Sequence, residues 1–477
     1  MLFNSLEYLL FLPTVFILYW LLNDRYKAQN ILILAASYVF YGWWNWHLLY
    51  LITLSSFVAY AGGLLLDTGK GQRSESLRRT ICAVTVILNM GVLGVFKYYN
   101  FFVESLTSLF PSLSEGGFIP LIHVILPVGI SFYTLQSVAY VIDVYRGQVR
   151  ATKDPVAFFS FISFFPQLVA GPIERATNLL PQFLKPRRFD YNTAVDGCRR
   201  ILWGLFKKVV IADNCAVYVN EVWADYNAQG SATLALAAVL FAFQIYGDFS
   251  GYSDIAIGSA RLLGIRIMDN FRMPFLSRNM AELWRRWHIS LNTWFRDYVY
   301  IPLGGSREGR WKHIRNIFIV FLLSGLWHGA NWTFVAWGLF LALCFVPRVL
   351  LGKSKEARDF KDNRTLQDWG GTLMTFVLFV ISFIFFRAPD IGSALQYICH
   401  TLSFASPRLY YPGRMLTPTL CAILFMMVTE WLQRSRAHSL DFEGRCPAVV
   451  RVAVYYLLMA MIVLFSGQAQ TFIYFQF

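Results

Sequence analysis

Apolar runs long enough to cross a lipid bilayer recur along the whole chain. A transmembrane helix needs about 20 mostly apolar residues, because the hydrocarbon core of a bilayer is about 30 Å thick. Hydrophobic residues make up 56% of the 477 positions and charged residues only 15%, whereas a soluble domain carries roughly a quarter charged residues. Backbone polar groups inside lipid must be satisfied within the segment, which favours helices. The sequence therefore predicts an all-α, polytopic membrane protein, organised as a single domain over residues 1–477.

About ten crossings are expected, together with re-entrant and interfacial helices. The first apolar run carries Glu7 instead of a basic start and has no small-residue cleavage site, so we interpret it as a retained span and not as a signal peptide. The segments that predict spans are Leu6–Leu22, Ile31–Trp46, Leu48–Leu66, Ile81–Phe102, Ile119–Ile142, Leu202–Val222, Ala232–Leu263 (too long for one simple span), Ile317–Phe340, Leu373–Phe386, Leu416–Leu432 and Val449–Phe465.

Basic loops indicate how the chain is oriented. The loop with Arg25 and Lys27 and the loop from Lys70 to Arg79 are separated by two predicted spans, so they lie on the same side. Because Lys and Arg concentrate in cytoplasmic loops, we expect both loops in the cytoplasm and the N-terminus outside it.

One apolar segment, Val156–Ala170, does not fit a simple crossing. Both of its flanks are basic, and Pro166 together with Gly171-Pro172 interrupts a helix. We expect a re-entrant or interfacial segment, whose broken backbone is covered by protein. The densely basic stretch Arg261–Arg315 is expected to form short amphipathic helices at the cytoplasmic face.

The net charge of +14, from 42 Lys and Arg against 28 Asp and Glu, would suggest a nucleic-acid partner in a soluble protein. Here the positive-inside rule accounts for it, and no nucleic acid is expected.

The seven cysteines lie scattered without CxxC or Cys/His spacing, so neither a metal site nor a disulfide framework is predicted.

His328 is an ionisable residue well inside an apolar segment. Such a residue is costly at membrane depth and is a functional-site hypothesis by default. The alternative is a core histidine whose ring is bonded to a neighbouring carbonyl. The flanking Trp327, Gly329, Asn331 and Trp332 favour a functional site, because glycine permits close approach and tryptophan can line a cavity while keeping a hydrogen-bond donor.

A second histidine, His288, follows a basic and aromatic run that ends in Arg285, Arg286 and Trp287. This patch is expected at the cytoplasmic face, where the arginines could bind an anionic donor. Alternatively, the arginines only anchor the helices on the cytoplasmic side. Asp248 also leaves two alternatives open: helix capping or pairing with cytoplasmic arginines on the one hand, and a place along the substrate path on the other.

Several long strings of this sequence closely resemble the membrane-bound O-acyltransferase family. Within the family, the chain is similar to the bacterial branch of alginate and peptidoglycan O-acetyltransferases and teichoic acid D-alanyl transferases. The strings are LPVGISFYTLQSVAYVIDVYRG from Leu126, FFPQLVAGPIER from Phe164, QIYGDFSGYSDIAIGSARLLGI from Gln244, WRRWHISLNTWFRDYVYIPLGG from Trp284 and SGLWHGANWTFVAWG from Ser324.

The resemblance implies an enzyme that moves an acyl group, most simply acetyl, from a cytoplasmic thioester to an exported or cell-surface polysaccharide. His328 matches the family's membrane-embedded histidine and is the expected general base, while His288 matches its second characteristic histidine. Trp327 and Asn331 are expected to contact the substrate, and Asn331 or an indole N–H would orient the base or bind the oxyanion. Arg285, Arg286, Trp287 and Asp248 are further substrate-binding candidates.

The resemblance also implies the surroundings of the enzyme. The expected donor is acyl-CoA or an acylated carrier protein, and no bound cofactor is expected. An extracytoplasmic acyltransferase partner would place the acyl group on the glycan. The protein would lie, with membrane lipid around it, in the inner membrane of a bacterium.

The final residues, QTFIYFQF, place Tyr474 among apolar and aromatic side chains. They resemble the C-terminal aromatic-tyrosine motif of the bacterial branch, in which the tyrosine carries the acyl group between the two enzymes. A phenol with a pKa near 10 is easier for an imidazole to activate than a sugar alcohol. The alternative is an aromatic anchor at the membrane interface.

Three other functions remain open from the sequence. Transfer of D-alanyl or a longer acyl group would use the same kind of site. A transporter component in polysaccharide export would also show many spans and intramembrane polar groups, but it usually has two related halves, and no such symmetry is visible. A scaffold role in an export complex would be additional to either.

Overall fold

The computed structural model describes residues 1–68, 73–111, 121, 127–352, 364–404, 406–411, 415–442, 446–467 and 470–473. Across these residues the chain is helical and has no β-strand, which confirms the all-α prediction. Two compact units are present. The N-terminal unit is Met1–Ala194 with Ser259–Met268, and the C-terminal unit is Val195–Gly258 with the described part of Asp269–Phe477.

The N-terminal unit contains nine α-helices among its described residues. A π-helical turn, Gly94–Tyr98, joins the fourth to the fifth, so that Glu75–Leu109 is one continuous rod. The helices are α1 (Leu6–Leu21), α2 (Tyr26–Gly42), α3 (Leu49–Thr68), α4 (Glu75–Leu93), α5 (Tyr99–Leu109), α6 (Ile130–Tyr145), α7 (Pro155–Ser163), α8 (Phe165–Leu168) and α9 (Ala176–Phe183).

The segment predicted to be re-entrant, Val156–Ala170, is interrupted where its sequence indicates. The helix breaks at Phe164, and Pro166 lies in the first turn of α8, where its missing N–H costs nothing. The Gln167 side chain donates to the Phe161 carbonyl at 2.9 Å, which satisfies a backbone oxygen that the break releases. The interruption is confirmed, and the side of the membrane on which the segment lies stays a prediction.

The C-terminal unit contains most of α10 (Tyr191–Leu205) and α12 (Ser231–Leu262). Between them, a π-helical turn, Phe206–Ala212, leads into α11 (Asp213–Ala224). The remaining helices are α13 (Met280–Trp284), α14 (Ile289–Phe295), α15 (Arg310–His328), α16 (Trp332–Leu350), α17 (Leu366–Arg387), α18 (Ile391–Leu402), α19 (Leu416–Leu432) and α20 (Ala448–Leu464). The basic stretch Arg261–Arg315 contains the short helices α13 and α14, as predicted, and their location at the cytoplasmic face stays a prediction.

The prediction of one span over Ile317–Phe340 is wrong. The chain forms two helices there, because α15 ends at His328 and Asn331 caps the start of α16 by accepting the Thr333 N–H at 3.0 Å. The two helices fold back on each other, since a Cβ atom on Gly325 would lie only 2.2 Å from the Phe334 carbonyl oxygen. The turn was not predicted because the sequence stays hydrophobic across it. His328 is the last residue of α15, directly before the turn.

Five helical segments of the described chain are long and apolar enough to cross a bilayer. Three shorter apolar helices match predicted spans at both ends of the chain. The total of about ten crossings stays a prediction. The long segments are Trp46–Asp67, Glu75–Leu109, Ser231–Leu262, Trp332–Leu350 and Leu366–Arg387, and the shorter ones are Leu6–Leu21, Leu416–Leu432 and Ala448–Leu464.

Candidate active site

In the C-terminal unit, α12 packs against α10 and the π-helical turn at very short range. A Cβ atom on Gly251 would lie 2.7 Å from the Gly204 oxygen, and one on Gly258 would lie 2.4 Å from the Gly197 oxygen. No larger residue fits at these positions without a backbone shift. Small residues allow membrane helices to approach in this way, and the approach brings charged side chains of the two helices together.

Lys207, on the π-helical turn, lies in a buried cluster of charges. Its Nζ is 2.6 Å from Oδ2 of Asp254 and 2.8 Å from the hydroxyl of Ser250, both on α12. Arg200 joins the cluster through Asp269 at 2.7 Å and through Asp254 at 3.8 Å. Burying single charges is very costly, and pairing them offsets that cost, so the cluster holds α10 and α12 in one register.

Lys208, the next residue, pairs in a second cluster with Asp213 and Asp248, each at 2.8 Å. The same cluster binds the last described residues of the chain. Lys208 donates to the Gln470 carbonyl at 3.2 Å, and the Ile473 N–H donates to Oδ2 of Asp248 at 2.8 Å. Asp248 is therefore paired with a lysine and not with the arginines expected from the sequence, and its place along a substrate path stays a prediction.

The C-terminal segment is buried where it meets this cluster. Phe472 is 2% exposed, and its ring lies 4.9 Å from Tyr252 and 6.3 Å from Phe249. Phe249 in turn lies 4.7 Å from the ring of His288. The tail thus approaches the first of the two predicted histidines through one aromatic side chain. Tyr474 lies outside the described residues.

His288 is fully buried at the start of α14 and has a left-handed backbone, with φ of 45°. Non-glycine residues seldom adopt this conformation, which is concentrated at functional sites. The Nδ1 atom lies 3.2 Å from Oδ1 of Asn270. Burial lowers the pKa of His288 to about 3, so the imidazole is neutral at physiological pH.

His328 lies across from His288, with 6.3 Å between the ring centroids. It is 5% exposed. Its ring contacts Trp327 and Trp337, each at 5.0 Å, and Phe386 at 5.4 Å. The structure therefore brings the two histidines together at one buried position that is surrounded by aromatic rings.

Trp327 and Asn331, both expected to contact substrate, differ in their surroundings. Trp327 lies beside both histidines, 5.7 Å from His288 and 5.0 Å from His328. The amide of Asn331 caps α16 and donates to the Pro389 carbonyl at 3.2 Å, which favours a structural role. The indole N–H of Trp337 is buried and has no hydrogen-bond acceptor among the described residues, so it is available to a substrate.

The two arginines of the basic patch have different environments. Arg286 is buried and pairs with Glu282 at 2.6 Å, and burial lowers its pKa to about 10, which leaves it charged. Glu282 also pairs with Arg278 at 3.1 Å. Arg285 is exposed and lines an open cavity of about 680 Å³ together with Arg278 and Arg348. An anionic donor can therefore reach Arg285, whereas the charge of Arg286 is already paired with Glu282.

Trp287 points into the core of the unit. Its ring lies 5.0 Å from both Phe271 and Phe379. This packing fixes the segment that carries His288, and substrate contact by Trp287 stays a prediction.

In the part of the chain that the structure describes, no group of three or more His, Cys, Asp or Glu side chains is arranged to hold a metal ion.

Asn270 and Ser290 were not anticipated from the sequence. Asn270 lies in an irregular stretch, where no periodicity marks an inward side chain, and its bond to His288 joins two loops. The position of Lys207 could not be derived from the sequence either, because a lysine on an apolar helix is compatible with both a lipid interface and an interior groove.

The sequence model of the membrane-bound O-acyltransferase family matches residues 148–389. This range holds both histidines, the basic patch and the α15–α16 turn. The chain belongs to this family. It is thus a multi-pass membrane protein and an O-acyltransferase, as the resemblance of its motifs predicted.

Three relatives show how far the similarity of this O-acyltransferase to individual proteins extends along its chain. It is 40% identical over 411 residues to the probable alginate O-acetylase AlgI of Pseudomonas putida, covering 86% of this chain and 82% of the relative. It is 31% identical to the peptidoglycan O-acetyltransferase of Helicobacter pylori over 100% of this chain and 98% of the relative. The teichoic acid D-alanyltransferase of Bacillus subtilis is 29% identical over 45% of this chain and 57% of the relative.

Proposed function

We propose that this O-acyltransferase transfers acetyl groups from a cytoplasmic thioester, through the inner membrane, for O-acetylation of an exported or cell-surface polysaccharide. The observation that carries this proposal is the pair His288 and His328, whose buried rings lie 6.3 Å apart. Both residues lie in the part of the chain that matches the family.

His328 is the proposed general base. It takes the proton of the attacking hydroxyl while the hydroxyl oxygen bonds to the thioester carbonyl carbon. The tetrahedral oxyanion then collapses, the carbon–sulfur bond breaks, and His328 returns the proton to the departing thiolate. A positioned base of this kind contributes about a hundred- to ten-thousand-fold to the rate. The buried indole N–H of Trp337, whose ring lies 5.0 Å from His328, is the proposed donor to the oxyanion.

Arg285 is the proposed contact for the anionic donor, either coenzyme A or a carrier protein. Its exposure beside Arg278 and Arg348 supports this role, because arginine binds phosphate and carboxylate groups in a bidentate manner. The paired Arg286 stabilises the segment that leads to His288. This side of the protein would face the cytoplasm, and the N-terminus would face out.

Acetyl is favoured over D-alanyl as the transferred group by the extent of similarity. The O-acetylase relatives match most or all of the chain, while the D-alanyltransferase relative matches 45% of it.

We further propose that Tyr474 receives the acetyl group and delivers it to an extracytoplasmic acyltransferase. Burial of Phe472 and Ile473 beside α12 supports this relay, since it brings the tail into the same unit as the two histidines.

The proposal is tested in the host bacterium, by deleting the gene and measuring base-labile acetate on its exported polysaccharides. Wild-type protein restores the acetate, and Tyr474→Phe, which keeps the apolar character of the tail, does not. An acetyl-sized mass on the C-terminal peptide of the wild-type protein would identify the intermediate. Unchanged acetate in the deletion strain would refute the proposed function, whereas full activity of Tyr474→Phe would refute only the relay.

A further inference from the structure

We propose that Asn270 is a positioning residue that fixes the proton of His288 on Nδ1 and so leaves the lone pair of the ring on Nε2. The inference rests on the proposed function, because it concerns the tautomer of one of the two active-site histidines. Its evidence is separate, and lies in the hydrogen bonds around the Asn270 side chain.

Two loop segments are held together at this point by backbone hydrogen bonds. The Arg272 N–H donates to the Arg286 carbonyl, and the Ile289 N–H donates to the Asn270 carbonyl, both at 2.9 Å. Asn270 therefore has a fixed backbone position directly beside His288. Its side chain is 1% exposed, so the orientation of its amide is set by protein groups and not by bulk water.

The orientation of the amide follows from Ser290. The backbone N–H of Ser290 can only donate, and it lies 3.3 Å from the Asn270 side-chain atom assigned as Oδ1, so this atom is the oxygen. The Ser290 hydroxyl donates to the same oxygen at 2.8 Å. On the other side of the amide, its nitrogen donates to the Ser253 hydroxyl on α12 at 3.3 Å. Both ends of the amide are thereby assigned.

The tautomer of His288 follows from this orientation. Nδ1 lies 3.2 Å from Oδ1 of Asn270, and an oxygen without a hydrogen can only accept, so Nδ1 must carry the proton. Burial keeps the ring neutral, as its pKa of about 3 indicates. A neutral imidazole has one N–H and one lone pair, and the lone pair is therefore on Nε2.

A defined lone pair matters for the chemistry of the site, because the partner of one ring nitrogen decides whether the other nitrogen donates or accepts a hydrogen bond. His328 is the proposed base, and His288 with its lone pair on Nε2 is a hydrogen-bond acceptor beside it. The left-handed backbone of His288, with φ of 45°, also needs its surroundings to hold it. Asn270 provides both constraints, although it reaches the substrate only through His288.

The direct test is magic-angle-spinning NMR of the full-length protein in lipid, labelled with ¹⁵N-histidine. Loss of signals in His288→Gln assigns the ring of His288. The expected wild-type spectrum shows a protonated Nδ1 and an unprotonated Nε2 for this ring. In Asn270→Leu and in the smaller Asn270→Ala, the Nδ1 proton should be lost or shared between the two nitrogens. A wild-type ring protonated on Nε2, or an unchanged Nδ1 proton in both variants, would overturn the proposal.

Activity gives the second readout, measured as the initial rate of polysaccharide O-acetylation in cells at matched protein levels. Asn270→Leu should lower this rate about 100-fold, the size of effect expected when a reacting group is slightly misplaced. Asn316→Leu is the matched control, because Asn316 is equally buried but its amide donates to the carbonyls of Leu303 and Gly305 and accepts from Arg315. Equal losses in the two variants would indicate a general packing effect and contradict the proposal.

The outcomes separate this inference from the proposed function. If His288→Gln acetylates normally, His288 is not part of the proposed active site, whatever its tautomer. If His288→Gln is inactive while Asn270→Leu is fully active, the proposed function stands and the positioning role of Asn270 is refuted.

Discussion

Ile473 and Asp248 are joined by a hydrogen bond of 2.8 Å from the backbone N–H of the first to the carboxylate of the second. Because Asp248 is also paired with Lys208, this bond ties the C-terminal segment to a charge cluster buried inside the C-terminal unit. The tail is therefore held by the fold itself up to the residue before Tyr474.

Replacing Ile473 by proline should release this segment. Proline removes the N–H that Asp248 accepts, and it leaves every charge of the cluster in place. Hydrogen–deuterium exchange should become faster at the amides of Gln470, Thr471 and Phe472. Ile473→Val keeps the N–H and serves as the control. Exchange that is equally slow in the proline variant would contradict the anchoring role of Asp248.

Lys208→Met should strongly destabilise the protein. The substitution leaves Asp213 and Asp248 buried without their cation, and breaking a buried ion pair costs about 3–5 kcal/mol. The apparent Tm in detergent should fall accordingly. Lys312→Met is the control, because Lys312 pairs with Glu308 at the surface, where both side chains are about half exposed. A Tm that responds equally to both substitutions would argue against the buried cluster.

Arg285→Gln and Arg286→Gln should have different effects. Arg285 is exposed in the open cavity, so its loss should raise the KM for the donor, with little change in kcat or in Tm, and should weaken the dependence of KM on salt. Loss of Arg286 leaves Glu282 with one cation fewer and should lower Tm. Enzyme assays with acetyl-CoA and with an acetylated carrier protein, run separately, measure the first effect. An unchanged KM for both donors in Arg285→Gln would support an anchor role instead.

Much of the architecture is visible in the sequence because hydropathy and helix signals agree there. The span Leu416–Leu432 coincides with α19, and the apolar run from Leu6 begins behind Ser5, which caps α1. The turn between α15 and α16 was missed, since its residues are apolar and only Gly329 and Asn331 mark it. A turn of only three residues, Gly329 to Asn331, leaves no clear gap in hydropathy.

The site could be predicted in part. His288 and His328 were identified because ionisable residues stand out in apolar or aromatic surroundings, and their motifs resemble a known family. Their proximity could not be derived, because it depends on how α14 and α15 pack. Asn270 was missed for the same reason. The pairing of Lys208 with Asp248 also depends on the close approach of helices at Gly204 and Gly251, which spacing alone does not show.

The central claim is that His328 is the base of acyl transfer, and single-turnover kinetics of the His328→Ala variant test it most directly. Purified protein is mixed with radiolabelled acetyl-CoA or acetylated carrier protein and with the host polysaccharide, and release of free thiol is followed with time. His313→Ala, on the same helix, is the matched control.

The account predicts that His328→Ala keeps the wild-type apparent Tm and donor affinity but loses the burst of thiol release by at least about a hundredfold. His313→Ala should retain the burst. Single-turnover transfer at the wild-type rate in His328→Ala would contradict the account.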